Sequence, residues 1–243
     1  LDVLLVARGL AESREKAQRL IRAGLVYTES ERLDKPGRTV PIDIELRIKG
    51  SDCPYVSRGG LKLAGALDTF AVDPTDRVAL DLGASTGGFT DCLLQRSARL
   101  VHAIDVGTNQ LHEKLRACPR VLSREQTHLD ALEAAEFPEP PTLAVADLSF
   151  ISLRRAYPVL KRVMLAGGDA ILLVKPQFEA GRESVPRGGV VTDPAVHARV
   201  MEELTAAAVE AGLEVIGACP SPITGGDGNR EFFLHLRVPH GEP

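Results

Sequence analysis

The sequence predicts a doubly wound α/β sheet preceded by a small α+β unit. Two observations carry the sheet. Short apolar runs such as Ile171-Leu-Leu-Val174 recur between helical segments from Gly59 onward, as parallel strands buried on both faces do. One such run, 78–82, leads straight into Gly83-Ala-Ser-Thr-Gly-Gly88 and then an amphipathic segment. That strand–turn–helix order presents bare backbone at a helix N-terminus to a ligand. A third observation sets the N-terminal unit apart: residues 1–50 have the periodicity of two helices followed by short strands.

Within residues 1–50, Ala17, Leu20, Ile21, Gly24 and Leu25 make one helix face. Ser13 is placed to cap this helix and Gly24 to stop it. Lys16, Arg19 and Arg22 lie on another side, with Arg14 near the start. Val26-Tyr27 begins a short strand and Pro36-Gly37 marks a turn. Ile42, Ile44, Leu46 and Ile48 alternate with polar residues through Lys49, the pattern of a half-buried strand. Residues 51–58, with Pro54 and little periodicity, read as a linker, and 59–243 as the larger domain. There the spacing predicts helices at 60–70, 89–94, 152–165 and 194–211. Strands are expected at 78–82, 100–105, 120–122, 142–146, 170–175, 213–217 and 232–238. Two glycine-rich loops, 180–193 and 224–229, stand between elements.

Composition narrows the function classes. With no Trp and 4% aromatic residues, wide stacking platforms for single-stranded nucleic acid are not expected. The four cysteines form no Cys-x-x-Cys and the six histidines show no ligand spacing, so neither a metal site nor a disulfide framework is expected. A reducing, cytoplasmic setting fits. No apolar run approaches the roughly 18–20 residues of a membrane helix. Arg8 interrupts the apolar start, which argues against a signal peptide. Residues 1–62 carry a net charge of +3 and the remainder −7, so the basic N-terminal part is the one suited to an anionic polymer.

The glycine turn alone fits two ligands. A dinucleotide fingerprint has a middle glycine where this chain has Ser85-Thr86. Asp81, just before Gly83, suits a cationic or amine-bearing ligand such as S-adenosylmethionine (SAM). About twenty residues on, Asp105 ends a strand where an acid can accept ribose hydroxyls. Asp147 ends the fourth strand and Lys175 the fifth. Lys62 lies on the helix before the first strand, and Glu231 opens the last. Burying a lysine is costly, so Lys175 needs a reason. The topology sends these two lysines and two carboxylates to one crevice. A sugar hydroxyl is a poor nucleophile, and a lysine beside a second ammonium can supply the base it needs.

These residues sit in VSRGGLKL (56–63), LDLGASTGGFTDCLL (80–94), HAIDVGTNQL (102–111), ADLSFISL (146–153), LLVKPQFE (172–179), GGVVTDP (188–194) and GNREFFLHL (228–236). Together they resemble the TlyA family, SAM-dependent 2′-O-ribose rRNA methyltransferases also known as haemolysins. The resemblance spans nearly the whole chain. It implies an N-terminal RNA-binding domain like that of a small-subunit ribosomal protein and an FtsJ-type, Rossmann-like methyltransferase domain. It places the family's Lys-Asp-Lys-Glu tetrad on Lys62, Asp147, Lys175 and Glu231. It implies SAM contacts at Asp81, Gly83, Ser85, Gly87, Gly88, Phe89, Asp105 and Asp147, with ribosomal RNA or ribosomal subunits as partner. RNA contacts are then expected at Arg14, Lys16, Arg19 and Arg22. The segment Glu125-Gln-Thr-His128 departs from the family's Glu-Arg-Thr-Asn near the adenine.

A base methyltransferase acting on exocyclic amines often has Asp/Asn-Pro-Pro-aromatic after the fourth strand, and Asp147-Leu-Ser-Phe150 lacks the prolines. A non-catalytic ribosome-assembly factor would have no use for an intact SAM loop and tetrad. A pore-forming haemolysin needs spanning helices or long amphipathic strands, which the sequence does not show.

Overall fold

The computed structural model describes residues 1–11, 13–22, 24–29, 31–48 and 53–240, which fall into two compact units, Leu1–Cys53 and Pro54–Pro243. In the first, helices α1 (Asp2–Ala7) and α2 (Arg14–Arg22) pack beside strands β1 (Val26–Tyr27), β2 (Arg32–Leu33) and β3 (Arg47–Ile48). The strands form an antiparallel sheet in the order β2-β1-β3. Ser13 Oγ accepts from the Lys16 amide, which caps α2. Gly24, at φ 69°, closes its other end: its amide donates to Ile21 and that of Leu25 to Leu20. Leu5, Ala17, Ile21, Val26 and Leu33 fill the small core.

The strand expected over 42–49 shrinks to Arg47–Ile48, and Lys49 lies outside the described residues, as do Gly50 and the first two positions of the expected linker. The physical reason is local. The chain turns after Pro41, with the Ile44 amide on the Pro41 carbonyl. The Arg8 guanidinium then takes the carbonyls of Ile42 and Ile44 that a neighbouring strand would have used. Ile42 is left 83% exposed, while Leu46 is buried.

The second unit begins with α3 (Gly59–Phe70) and β4 (Val78–Leu82), followed by α4 (Gly88–Gln95), β5 (Leu100–Ile104), α5 (Glu113–Arg116), β6 (Val121–Arg124) and β7 (Leu143–Ala146). Next come α6 (Ala156–Val163), β8 (Asp169–Val174), α7 (Pro176–Glu179), α8 (Pro194–Glu210), β9 (Glu214–Pro220) and β10 (Phe232–Arg237). The sheet order is β6-β5-β4-β7-β8-β10-β9. Strands β4 to β8 pair in parallel, and β10 runs antiparallel between β8 and β9. Residues of β4 and β8 are buried throughout, so they show apolar runs without alternation. One face is covered by α6 and α8, whose Tyr157, Leu160, Val200 and Leu204 pack on Leu80, Leu82 and Leu172. The other is covered by α3 and α4 through Leu63, Leu67, Phe89 and Leu93. The expected doubly wound α/β sheet is thus present, with the helix expected over 152–165 entered through a 3-10 turn, Leu153–Arg155. Strand order reverses between β4 and β7, and ligands of such sheets bind beyond the C-terminal strand ends at that point.

Candidate active site

Beyond β4 the chain passes through a tight turn into α4. Three of its residues have positive φ: Gly83 (81°), Ser85 (48°) and Gly87 (94°). At Gly83 a side chain would meet the Asp147 carbonyl, its built Cβ lying 2.8 Å away. At Gly87 it would collide with Leu111 and Leu115 beneath, and at Gly88 with Ser57 and the backbone of Gly59 and Gly60. These glycines therefore let neighbouring elements close in from below and beside. Gly83 and Gly88 also line the crevice, whereas Gly87 is buried and lines neither of its cavities. Asp105, just past β5, braces the turn: its carboxylate accepts from the Ser85 amide (2.7 Å) and the Gly107 amide (2.7 Å).

The crevice has two parts that share Gly83, Ser85 and Asp147. One, of about 310 Å³, is mainly apolar, with Ile104, Val106, Leu129 and Leu148 around Asp105 and His128. The other, of about 230 Å³, holds Lys62, Asp147, Thr224 and the Phe89 side of the turn. Asp147 lies at their junction.

Two ion pairs surround the second part. Lys175 Nζ is 2.6 Å from Asp147 Oδ1 and donates to Ser149 Oγ at 2.8 Å. Lys62 Nζ is 2.6 Å from Glu231 Oε2, with side chains only 11% and 2% exposed. Both are close ion contacts off a hydrogen-bonding line, for Asp147 Oδ1 and Glu231 Oε2 remain buried without a hydrogen-bond donor. Each carboxylate keeps acceptor capacity. The structure thus brings all four tetrad candidates into two pairs, placed just past β7, just past β8, on α3 and just before β10.

Asp81 lies deeper, inside β4 and two positions short of Asp105 and Asp147 in register. On a strand, neighbouring side chains point to opposite faces, and Asp81 faces α4, where Oδ2 accepts from the Thr90 hydroxyl at 2.6 Å. It is fully buried, lines neither cavity, and its Oδ1 has no partner. The contact expected from it toward a cationic ligand is therefore not formed by direct exposure to the crevice. Burial pushes its carboxyl up to about 7, from 3.8 for a free aspartate. Between those values the folded protein holds a proton that the unfolded chain has released. Stability therefore falls as pH rises from about 4 to about 7 and is insensitive to this group outside that window. Asp81→Asn is expected to flatten that slope when urea midpoints are compared across it; an unchanged slope would sink the assignment.

Sequence reasoning misses three residues here. Phe150 has φ 66° and is 86% exposed, with its ring centroid 5.0 Å from that of Phe178. Phe178 in turn lies 5.7 Å from Lys175 Nζ. Ser149 fixes Lys175. Asn229, 1% exposed, accepts from the Val191 amide at 2.9 Å and donates to the Gly189 carbonyl at 3.0 Å, joining the two glycine-rich loops. The only sequence signal for these is position: all sit in loops that follow or precede strand ends.

In the first unit, Arg19 and Arg22 are exposed on α2, and Lys16 is half-buried. Arg14 is committed elsewhere, its Nε 2.8 Å from the buried Asp2 carboxylate. Among the described residues no cluster of three His, Cys, Asp or Glu could hold a metal, and no helix is long and apolar enough to cross a membrane.

Residues 55–238 match the family of FtsJ-like methyltransferases, and residues 1–43 match the S4 domain. The chain is 52% identical over 240 residues to "Putative rRNA methyltransferase YqxC" of Bacillus subtilis (strain 168), covering 98% of this chain and 85% of that protein. It is 44% identical over 238 residues to the 16S/23S rRNA (cytidine-2'-O)-methyltransferase TlyA of Mycobacterium tuberculosis (strain CDC 1551 / Oshkosh), covering 98% and 89%. It is also similar to a solved structure described as "Putative hemolysin from Streptococcus thermophilus": TM-score 0.79, 48% identity, 98% of this chain and 87% of that one.

Proposed function

This chain belongs to the TlyA family, whose larger domain is an FtsJ-like methyltransferase and whose smaller one is an S4 domain, and on that premise we propose that it methylates ribose 2′-hydroxyls of ribosomal RNA. The observation that carries the reading is the pair of lysine–carboxylate contacts around one cavity at the switch point of the sheet.

The residues present fit SAM as cofactor. The apolar part of the crevice suits an adenine, and Asp105 keeps lone pairs for ribose hydroxyls after accepting from Ser85 and Gly107. When bound, SAM supplies an electrophilic methyl group on a sulfonium. Asp147, common to both parts, offers that positive charge a carboxylate and at the same time holds Lys175. Lys175 Nζ, fixed from two sides, is the atom placed to hold the 2′-oxygen and take its proton. Lys62, held by Glu231, adds positive charge for the developing alkoxide. The exposed Phe150 ring offers a face on which a nucleobase can stack.

Transfer of tritium from labelled SAM to purified ribosomal subunits, with the modified position mapped, tests the reading. Label on a ribose 2′-oxygen is expected; label on a base, or on neither subunit, overturns it. In the S4 unit, Arg19 and Arg22 are proposed to meet phosphates. Arg19→Gln with Arg22→Gln should weaken subunit binding and make log K against log salt shallower by about 0.7–0.9 per lost contact. SAM affinity should not change, and an unaltered salt slope would count against the role.

A further inference from the structure

Three arginines in the larger unit, Arg182, Arg187 and Arg230, are exposed and have no partner among the described residues. Most other exposed arginines of this unit are tied to acids, for example Arg99 to Glu139, Arg154 to Glu203 and Arg155 to Asp130. The three free ones all lie on or beside the two glycine-rich loops. Asn229 joins those loops through its amide contacts with Gly189 and Val191, two residues from Arg187 at one end and adjacent to Arg230 at the other. His197 steadies the same segment by its contact with the Val191 carbonyl at 2.9 Å. The loops therefore hold their arginines on a braced frame.

That frame borders the cavity. Thr224 and Gly226 line it together with Lys62 and Asp147, and Arg58 on the same wall donates to the Thr224 carbonyl at 3.0 Å. Arg182 lines a neighbouring hollow with Phe150 and Phe178. Glu183 and Asp227 share the loops but form no ion pair with these arginines. Unpaired guanidinium groups contribute repulsion and no contact to the protein alone; they are suited to an anion arriving from outside.

We infer that Arg182, Arg187 and Arg230 form a phosphate-binding rim on the catalytic unit that grips the RNA backbone flanking the target ribose. The inference rests on the ribose-methylation reading and adds an RNA surface besides the S4 unit. A ribose is bonded to the phosphates on either side, so fixing them fixes its 2′-oxygen for in-line attack. The contacts carry position and no base identity.

The full chain with Arg182→Gln, Arg187→Gln and Arg230→Gln tests this. Binding to unmodified ribosomal subunits is measured across a salt series, SAM affinity by calorimetry, and methyl transfer at varied RNA concentration. The expected result is a salt slope shallower by about 2, at roughly 0.7 per single-strand phosphate. The KM for RNA should rise at least tenfold, by more than kcat falls, with SAM affinity unchanged. The triple Lys variant should retain most of the slope, because a phosphate accepts a point charge. An unchanged slope, a loss confined to kcat, or a Lys variant as weak as the Gln variant overturns the rim. Binding that is weakened for an acidic protein partner and not for the subunits does the same. The binding arm needs no methyl transfer. A parent protein that methylates no ribose yet shows the slope difference defeats the functional reading and leaves the rim standing.

Discussion

Lys175→Ala is expected to lower the rate of methyl transfer by about 10²- to 10⁴-fold, the usual contribution of a positioned proton acceptor. Nothing else in the crevice replaces Nζ at that point. Lys62 is engaged with Glu231 on a different element, and Ser149 is a neutral hydroxyl left without its partner. The stability cost should be smaller than at the Lys62–Glu231 pair, because the Asp147 side chain is 25% exposed and removal of the lysine opens its buried Oδ1 to the cavity. SAM binding should persist, since Asp105, Ser85 and the apolar half are untouched. Lys175→Arg separates proton transfer from charge. A guanidinium holds positive charge in the same place but stays protonated. Single-turnover rates of the Arg variant near those of the parent would eliminate Lys175 as the base and leave it an electrostatic role.

Glu231→Ala should be the most destabilising single change at the site. It strands the Lys62 ammonium in a setting where the pair is 11% and 2% exposed. Removing one member of a buried pair costs about 3–5 kcal/mol, a fall in melting temperature of roughly 6–20 °C for a domain of this size. Structure and chemistry can be told apart with Lys62→Met combined with Glu231→Leu. Apolar replacement of both members of a buried pair is often neutral, so the double variant should melt near the parent temperature while methyl transfer stays lost. A stable double variant that still methylates would show that the pair serves the fold alone.

How legible this was in the sequence depends on what each residue answers to. Val78–Leu82 and Asp169–Val174 are readable because burial on both faces leaves only apolar side chains to choose from. The segment 42–48 alternates just as well as a strand, yet its carbonyls are claimed by Arg8, a residue whose reach the local pattern does not encode. Asp147 and Lys175 are readable because charge at the end of a buried strand is costly and rare, whereas Lys62, on a helix, and Glu231, ahead of the last strand, stand out only in company with them and through the family resemblance. The glycine turn is readable as a turn, but the reason for Gly87 lies with Leu111 and Leu115, far along the chain. Asp81 differs from the residues at the strand tips by depth: in register it lies two positions short of Asp105 and Asp147, inside β4, which leaves it under the turn. Phe150 and Asn229 belong to no periodic pattern, so only the folded structure reveals them.

The placement of β10 has a consequence for how the molecule is made. Synthesis proceeds from the N-terminus, and this strand follows the other strands of its sheet in chain order. It pairs with β8 on one side and β9 on the other, and among the described residues β9 pairs with no other strand. Until residue 237 has emerged, β8 presents an open hydrogen-bonding edge and β9 has no place in the sheet, an exposure that favours aggregation. Glu231 comes just ahead of β10, so the Lys62 contact closes over most of the chain's length. A growing chain therefore cannot assemble its second ion pair before the segment that follows β9 has emerged. Premature termination anywhere upstream yields a product that is both sticky and catalytically incomplete.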